Sequence, residues 1–131
     1  MPYCRIFYHF NWTTKYRRAW IIPEIEPILL GTIRSKTIGL GGRVFAVNAV
    51  QDHVHLVVSI PPVLSVSRFI GQVKGISSLR VNESCLLPQR FQWQEEYSVF
   101  SLGESRLPVC ISYVERQKEH HSCMGKLLIL T

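Results

Sequence analysis

The stretch RVFAVNAVQDHVHLVVSI, residues 43–60, contains two apolar runs separated by the polar dipeptide Gln51-Asp52. Runs of β-branched and aromatic residues that are bounded by turn residues are typical of strands. We therefore predict a strand over Arg43–Ala49, a tight turn, and a second strand over His53–Ile60. Two prolines follow at residues 61–62, and they end the hairpin because proline cannot continue a central ladder.

Working outward from the hairpin, the spacing of apolar residues predicts five further elements. Upstream, an aromatic and β-branched segment predicts a strand over Tyr3–Thr14, and isoleucines at helical spacing predict a helix over about Glu24–Ile38. Downstream, the pattern predicts an amphipathic helix over Leu64–Val81, with Ser65 or Ser67 as its N-cap. An extended aromatic segment then covers Phe91–Leu102, and a last helix begins near Ser105 and ends at about His121.

The resulting order is βαββαβα, which predicts an α+β fold. Its first six elements match a ferredoxin-like antiparallel sheet with helices on one face, and the seventh is an additional C-terminal helix. A chain of 131 residues that is 47% hydrophobic is expected to fold as one domain over residues 1–131.

The net charge and the shortness of the apolar runs limit the classes of protein to which this chain can belong. The formal net charge is +6 and the pI is about 9.4, which favours a polyanionic partner. The apolar runs are too short to span a membrane, and the N-terminus has no signal pattern, so we expect a cytoplasmic protein. The four cysteines form no Cys-x-x-Cys pair, which argues against a structural zinc site.

Two histidines alternate in the second strand of the hairpin. Residues i and i+2 of a strand point to the same side, so His53 and His55 project together. Two adjacent imidazoles suit one divalent metal ion, although a third protein ligand is needed. The pattern alone leaves a second interpretation open, in which both are solvent-facing residues on a half-exposed sheet.

The last predicted helix carries a polar face. Positions i, i+3, i+4, i+7 and i+8 of a helix share one side, and here they are Tyr113, Arg116, Gln117, His120 and His121. A tyrosine among metal-ligand types and a cation is a candidate nucleophile, although a phenol is a weak acid and needs activation. The alternative is an ordinary tyrosine that packs at the helix margin.

Four stretches together resemble one enzyme family. DHVHLVVS (residues 52–59) resembles the His-hydrophobic-His (HUH) motif of the single-tyrosine transposases, the small TnpA-like enzymes and their REP-associated relatives. YVERQKEHH (residues 113–121) is similar to their catalytic helix, and WQEEYSVFS (residues 93–101) to the strand before it. WTTKYR (residues 12–17) resembles the end of their N-terminal strand. The resemblance covers nearly the whole chain in the same order.

The resemblance implies a DNA transposase that cuts and rejoins single-stranded DNA through a 5′-phosphotyrosine intermediate. It implies that Tyr113 is the nucleophile and that His53, His55 and Gln117 bind Mg²⁺ or Mn²⁺. Supporting groups on the same helix would be Arg116, His120 and His121.

The substrate implied by the resemblance is single-stranded DNA at element ends that contain hairpins. Phosphate contacts and ring stacking would hold it, and the DNA-binding cluster is expected at Lys15, Tyr16, Arg17 and Arg18. A second basic group lies on the helix after the hairpin, at Arg68, Lys74 and Arg80. The family also implies a homodimer, in which the short link Gly103–Ser105 could allow the catalytic helix to be shared between chains.

Three other functions share this scaffold or this motif. One is a domesticated HUH endonuclease, and another is a non-catalytic nucleic-acid-binding module, which exposes aromatic residues on its central strands. The third, a replication initiator or relaxase, is usually larger than this chain. A binding module should show no Mn²⁺-dependent change in thermal stability, which separates it from the enzymes.

Overall fold

A computed structural model of the chain describes residues 6–117. The strands are β1 (Phe7–Thr13), β2 (Arg43–Val50), β3 (His53–Ser59) and β4 (Ser98–Leu102), and the helices are α1 (Glu26–Gly39), α2 (Val66–Glu83) and α3 (Leu107–Glu115). All strand pairs are antiparallel, in the order β2-β3-β1-β4. The predicted α+β class is confirmed, and the strand order is consistent with a ferredoxin-like arrangement of βαββαβ with an additional helix.

The main core lies between α1, α2 and one face of the sheet. Alternate residues of β1 and β3 point into it, because successive side chains of a strand face opposite sides. Leu56 and Phe10 are fully buried there, and the ring of Phe10 lies 5.4 Å from that of Phe69 on α2. This packing leaves the other alternate residues, including His53 and His55, on the opposite face.

The third helix packs on that opposite face. A second apolar cluster joins the sheet to α3, and its buried members are Phe7, Ala46, Val57, Leu107 and Val114. The helices α1 and α2 share one face of the sheet, in agreement with the prediction for the first six elements, and the additional helix α3 covers the other face. The central strands carry apolar side chains on both faces, and α3 removes this second set from water.

The last strand is shorter than predicted. The predicted strand covered Phe91–Leu102, whereas β4 covers only Ser98–Leu102. Before β4, the ammonium of Lys74 donates hydrogen bonds to the backbone carbonyls of Gln94 and Glu95, at 2.7 and 3.0 Å. These carbonyls bond to a side chain instead of a neighbouring strand. Lys74, which was predicted to belong to a basic DNA-binding face, therefore holds this segment in place.

The hairpin and the cap of α2 agree with the predictions. Gln51 and Asp52 form the turn between β2 and β3, and the hydroxyl of Ser65 accepts a hydrogen bond from the backbone N–H of Arg68 at 3.1 Å. The predicted end of the last helix at His121 lies outside the described residues. Within residues 6–117, no helix combines the length and the apolar character needed to span a bilayer.

Candidate active site

His53 and His55 lie side by side on the face of the sheet that α3 covers. Their ring centroids are 5.0 Å apart, and the two residues are only 7% and 8% exposed. The interpretation of both as solvent-facing residues is therefore wrong. Burial of two imidazoles requires polar partners, and each ring has one.

The partner of His53 is the carboxylate of its neighbour Asp52. Nδ1 of His53 donates to Oδ1 of Asp52 at 2.7 Å, because a carboxylate can only accept a hydrogen bond. This hydrogen bond is the largest of the causes that lower the pKa of Asp52 to about 2. With the proton on Nδ1, a neutral His53 keeps its lone pair on Nε2, which is the form that binds a metal ion.

The partner of His55 is His9, a residue that the sequence predictions missed. Nε2 of His9 lies 2.9 Å from Nδ1 of His55. Burial lowers the pKa of His9, which favours the neutral form of its imidazole. A signal for it did exist in the sequence, since His9, Asn11 and Thr13 are polar residues that alternate with Phe10 and Trp12 along β1.

Tyr113 faces this group of imidazoles from α3. Its ring centroid is 5.9 Å from that of His55, and the two ring planes are nearly perpendicular. The centroid is 6.5 Å from that of His9, and these two planes are steeply inclined to each other. The side chain is half-buried, and it also packs against the apolar cluster beneath α3. The structure thus brings together the tyrosine and the two histidines that the sequence singled out separately.

Gln117, one turn after Tyr113, is buried as well. It is only 1% exposed, and its Oε1 has no hydrogen-bond partner among the residues that the structure describes. A buried carbonyl oxygen without a partner is unfavourable, and such groups in native structures often mark the site of an ion or water. Its chemistry fits that of a metal ligand.

A metal ion at this site would require the amide oxygen. Across residues 6–117, no group of three His, Cys, Asp or Glu side chains could hold a metal ion. Two imidazole nitrogens and one amide oxygen are nevertheless acceptable donors for a hard divalent cation. The residues present therefore fit a site built from His53, His55 and Gln117.

Arg116, which was also predicted on this helix face, is not part of the group. Arg116 is exposed, and its guanidinium donates a hydrogen bond to the hydroxyl of Ser112 at 2.9 Å. The predicted polar face therefore divides, with Gln117 buried and Arg116 in solvent. His120 and His121 lie outside the described residues.

The basic cluster predicted to bind DNA forms a tight turn after β1. Tyr16 is 73% exposed, and both Tyr16 and Arg17 have left-handed backbone angles, with φ of 56° and 53°. Such angles are unfavourable for residues other than glycine and need support from neighbours. Arg17 provides it through Nε, which lies 3.1 Å from Oδ2 of Asp52, while Lys15 lies over the Tyr16 ring and Arg18 is exposed. The turn is thereby tied to the residue that holds His53.

Asn48 anchors the end of α3 beside the histidines. It is the residue of β2 that faces His55 in the sheet register, and its Nδ2 donates to the carbonyls of Val114 and Glu115, at 3.1 and 3.2 Å. These carbonyls lie in the last turn of α3 as it is described, where side chains commonly supply hydrogen-bond donors. The sequence predictions did not include Asn48.

We expect Asn48→Asp to detach the end of α3. The substitution keeps the side-chain oxygen that accepts from the N–H of Ala49, but it turns an acceptor toward two carbonyls. The free energy of unfolding should fall by about 1–3 kcal/mol, as measured by urea denaturation. Asn11→Asp is the matched control, because it adds the same charge beside His55 on the other neighbouring strand. Equal losses in both variants would show that charge alone is responsible.

Comparisons with known proteins agree on one family. The sequence matches the family model described as "Transposase IS200 like" over residues 3–117. It is 29% identical over 126 residues to the transposase for insertion sequence element IS200 of Salmonella typhimurium, covering 92% of this chain and 82% of that protein. It is 26% identical over 119 residues to the ISDra2 transposase TnpA of Deinococcus radiodurans, covering 86% and 84%.

Solved structures show the same fold. The crystal structure of a transposase from Deinococcus radiodurans aligns with a TM-score of 0.71 and 25% identity, over 89% of this chain and 95% of that one. A REP-associated tyrosine transposase bound to a REP hairpin aligns with a TM-score of 0.68 and 15% identity, over 92% and 74%. With the family model matched over residues 3–117, the chain belongs to the IS200-like transposase family.

Proposed function

We propose that the chain cuts and rejoins single-stranded DNA, with Tyr113 as the nucleophile and with Mg²⁺ or Mn²⁺ held by His53, His55 and Gln117. The position of α3 is the observation that supports this most. It brings the Tyr113 ring to 5.9 Å from the His55 ring. One turn later it buries Oε1 of Gln117, which has no hydrogen-bond partner within residues 6–117.

The donor set suits a polyanionic substrate. Two neutral imidazoles and one amide leave a bound ion its full positive charge, whereas carboxylate ligands would reduce it. When bound, the ion would polarise the phosphoryl oxygens of the scissile phosphodiester and orient them. Asp52 binds Nδ1 of His53, and His9 binds Nδ1 of His55. These hydrogen bonds restrict the rotation of both rings, so less conformational entropy is lost when an ion binds.

The reaction is an exchange of one phosphodiester for another. Oη of Tyr113 forms a bond to phosphorus while the bond between phosphorus and the 3′ oxygen breaks. The phenol gives up a proton and the leaving oxygen gains one, so the products are a 5′-phosphotyrosine and a free 3′-hydroxyl. Attack by another 3′-hydroxyl reverses the step and joins strands, and the tyrosine recovers its proton.

The substrate contacts are proposed for the basic turn. Lys15, Arg17 and Arg18 would contact phosphates, and the exposed ring of Tyr16 could stack on an unpaired base. The structural neighbour bound to a REP hairpin supports a substrate that contains a hairpin. The salt bridge between Arg17 and Asp52 would place such contacts close to His53.

The proposal is tested by incubating the protein with Mn²⁺ and single-stranded hairpin DNA, then separating the products on a denaturing gel. We expect a band of covalent protein–DNA adduct that is absent when EDTA is added. The substrates should include the ends of the element that encodes the protein. Cooperative thermal melting serves as the control that the protein is folded. If such a protein forms an adduct with none of these substrates, the enzymatic function is contradicted.

We further propose that the protein acts as a homodimer. In the structure, α3 packs on the sheet of its own chain through Val57 and Asn48. A mixed dimer of one Tyr113→Phe chain and one His53→Ala chain tests whether the helix is shared, since only an exchanged helix would rebuild a complete site. We expect no recovery of cleavage from the mixed dimer, and recovery toward half the normal rate would show exchange between chains.

A further inference from the structure

His9 and His55 form a hydrogen-bonded pair of imidazoles. Nε2 of His9 lies 2.9 Å from Nδ1 of His55, although the two residues lie on different strands. In the register of β1 and β3, Asn11 faces His55 and His9 faces Val57. His9 therefore reaches His55 diagonally across the same face of the sheet, an approach that long side chains can make.

Such a pair has two arrangements of its shared proton, and only one suits metal binding. If His9 donates, the proton of a neutral His55 lies on Nε2, and no lone pair remains for an ion. If His55 donates from Nδ1, its Nε2 keeps the lone pair. We propose that His9 is a positioning residue, which accepts from Nδ1 of His55 and so holds His55 in the tautomer that can bind a metal ion.

The arrangement at His53 supports this assignment. There the carboxylate of Asp52 accepts the hydrogen bond from Nδ1 of His53. In both histidines, Nδ1 would then donate to a neighbouring side chain, and Nε2 would be the nitrogen that binds the metal ion. Pairing of the second ring nitrogen is a general way in which proteins orient metal-binding histidines. The partner of His55 differs in being an imidazole ring, that of His9, instead of a carboxylate.

Two aromatic rings keep His9 in place. The ring centroid of His9 is 6.4 Å from that of Phe100 on β4 and 6.5 Å from that of Tyr113 on α3. His9 thus lies between the last strand, the catalytic helix and His55. Its replacement by phenylalanine should keep these ring contacts and remove both ring nitrogens, including the one that accepts the hydrogen bond.

The tautomer of His55 can be measured without metal. Long-range ¹H–¹⁵N spectra of the full chain in EDTA distinguish a proton on Nδ1 from one on Nε2. We expect Nδ1–H in the wild type, Nε2–H in His9→Phe, and a return to Nδ1–H in His9→Gln, whose amide oxygen can replace the accepting nitrogen. An Nε2–H tautomer in the wild type, or no change in His9→Phe, would overturn the proposal.

Mn²⁺ affinity is the second readout and rests on the proposed function. Titration calorimetry of the metal alone should show an affinity roughly 10- to 100-fold weaker in His9→Phe than in the wild type, as for other outer-shell partners, with recovery in His9→Gln. Wild-type affinity in His9→Phe would overturn the positioning role. A wild type that binds no Mn²⁺ would instead contradict the metal site, while the spectra would still decide the tautomer.

Discussion

Tyr113→Phe is expected to abolish the covalent protein–DNA adduct and to lower the cleavage rate by a factor on the order of 10⁴–10⁶, as loss of a nucleophile does in other enzymes. The substitution removes a single oxygen atom. The ring that contacts His55 and His9 remains, and so does its packing against the cluster beneath α3. We therefore expect Mn²⁺ binding, DNA binding and the free energy of unfolding to change little.

Tyr16→Phe is the matched control. Tyr16 is 73% exposed and belongs to the basic turn that we assign to DNA binding, so its hydroxyl is an accessible rival nucleophile. Loss of its hydroxyl should leave the adduct intact. Rates of adduct formation at saturating DNA and Mn²⁺ separate the two residues, and an adduct that persists in Tyr113→Phe would remove Tyr113 from the reaction.

Gln117→Met is expected to weaken Mn²⁺ binding while leaving the metal-free protein at least as stable. Oε1 of Gln117 is buried without a hydrogen-bond partner among the described residues, and such a group costs about 1–3 kcal/mol. A methionine of similar size removes that cost but cannot replace an oxygen ligand of a hard ion. The loss of affinity should exceed the roughly 10- to 100-fold that outer-shell partners contribute.

Two measurements check this prediction. Urea denaturation in EDTA should give an equal or higher free energy of unfolding, and the rise in melting temperature with Mn²⁺ should disappear, because a ligand stabilises only the state that binds it. Gln89→Met, the same change at an exposed position, should alter neither value. A Gln117→Met protein that is destabilised in EDTA and still responds to Mn²⁺ would show a purely structural role for Gln117.

The sequence predicted the hairpin and the strand position of the histidine pair because alternation along a strand is a local property. It could not predict their burial. The face that carries His53 and His55 is covered by α3. The placement of that helix depends on apolar residues far from it in the sequence, such as Phe7 and Val57. For the same reason the sequence could not predict the contact of His9 with His55, because that contact follows from the register of β1 and β3.

The third helix, α3, shows a second limit of periodicity. Gln117 and Arg116 lie four and three residues after Tyr113, and both spacings place a residue on its side of a helix. Packing separates them, since the burial of Leu107 and Val114 fixes how α3 is rotated. Asn48 adds a constraint from β2 at the end of the helix. Helical spacing alone could therefore propose both residues but could not choose between them.

The segment before β4 shows why an aromatic run is not always a strand. Its composition is typical of strands, but pairing also requires that its carbonyls meet a neighbouring backbone. The ammonium of Lys74 donates hydrogen bonds to the carbonyls of Gln94 and Glu95 instead. The burial of its ammonium against this segment lowers the pKa of Lys74, and no pattern in the sequence predicts that contact.

The identity of the residue that becomes joined to DNA is the most direct test of the proposed function. Wild-type protein is incubated with Mn²⁺ and single-stranded hairpin DNA, the adduct is digested with nuclease and protease, and the peptides are analysed by tandem mass spectrometry. We predict a nucleotide attached through its 5′-phosphate to Tyr113, and an equal amount of DNA fragment with a free 3′-hydroxyl. An adduct on another residue, or a fragment that ends in a 3′-phosphate, would contradict the proposed function.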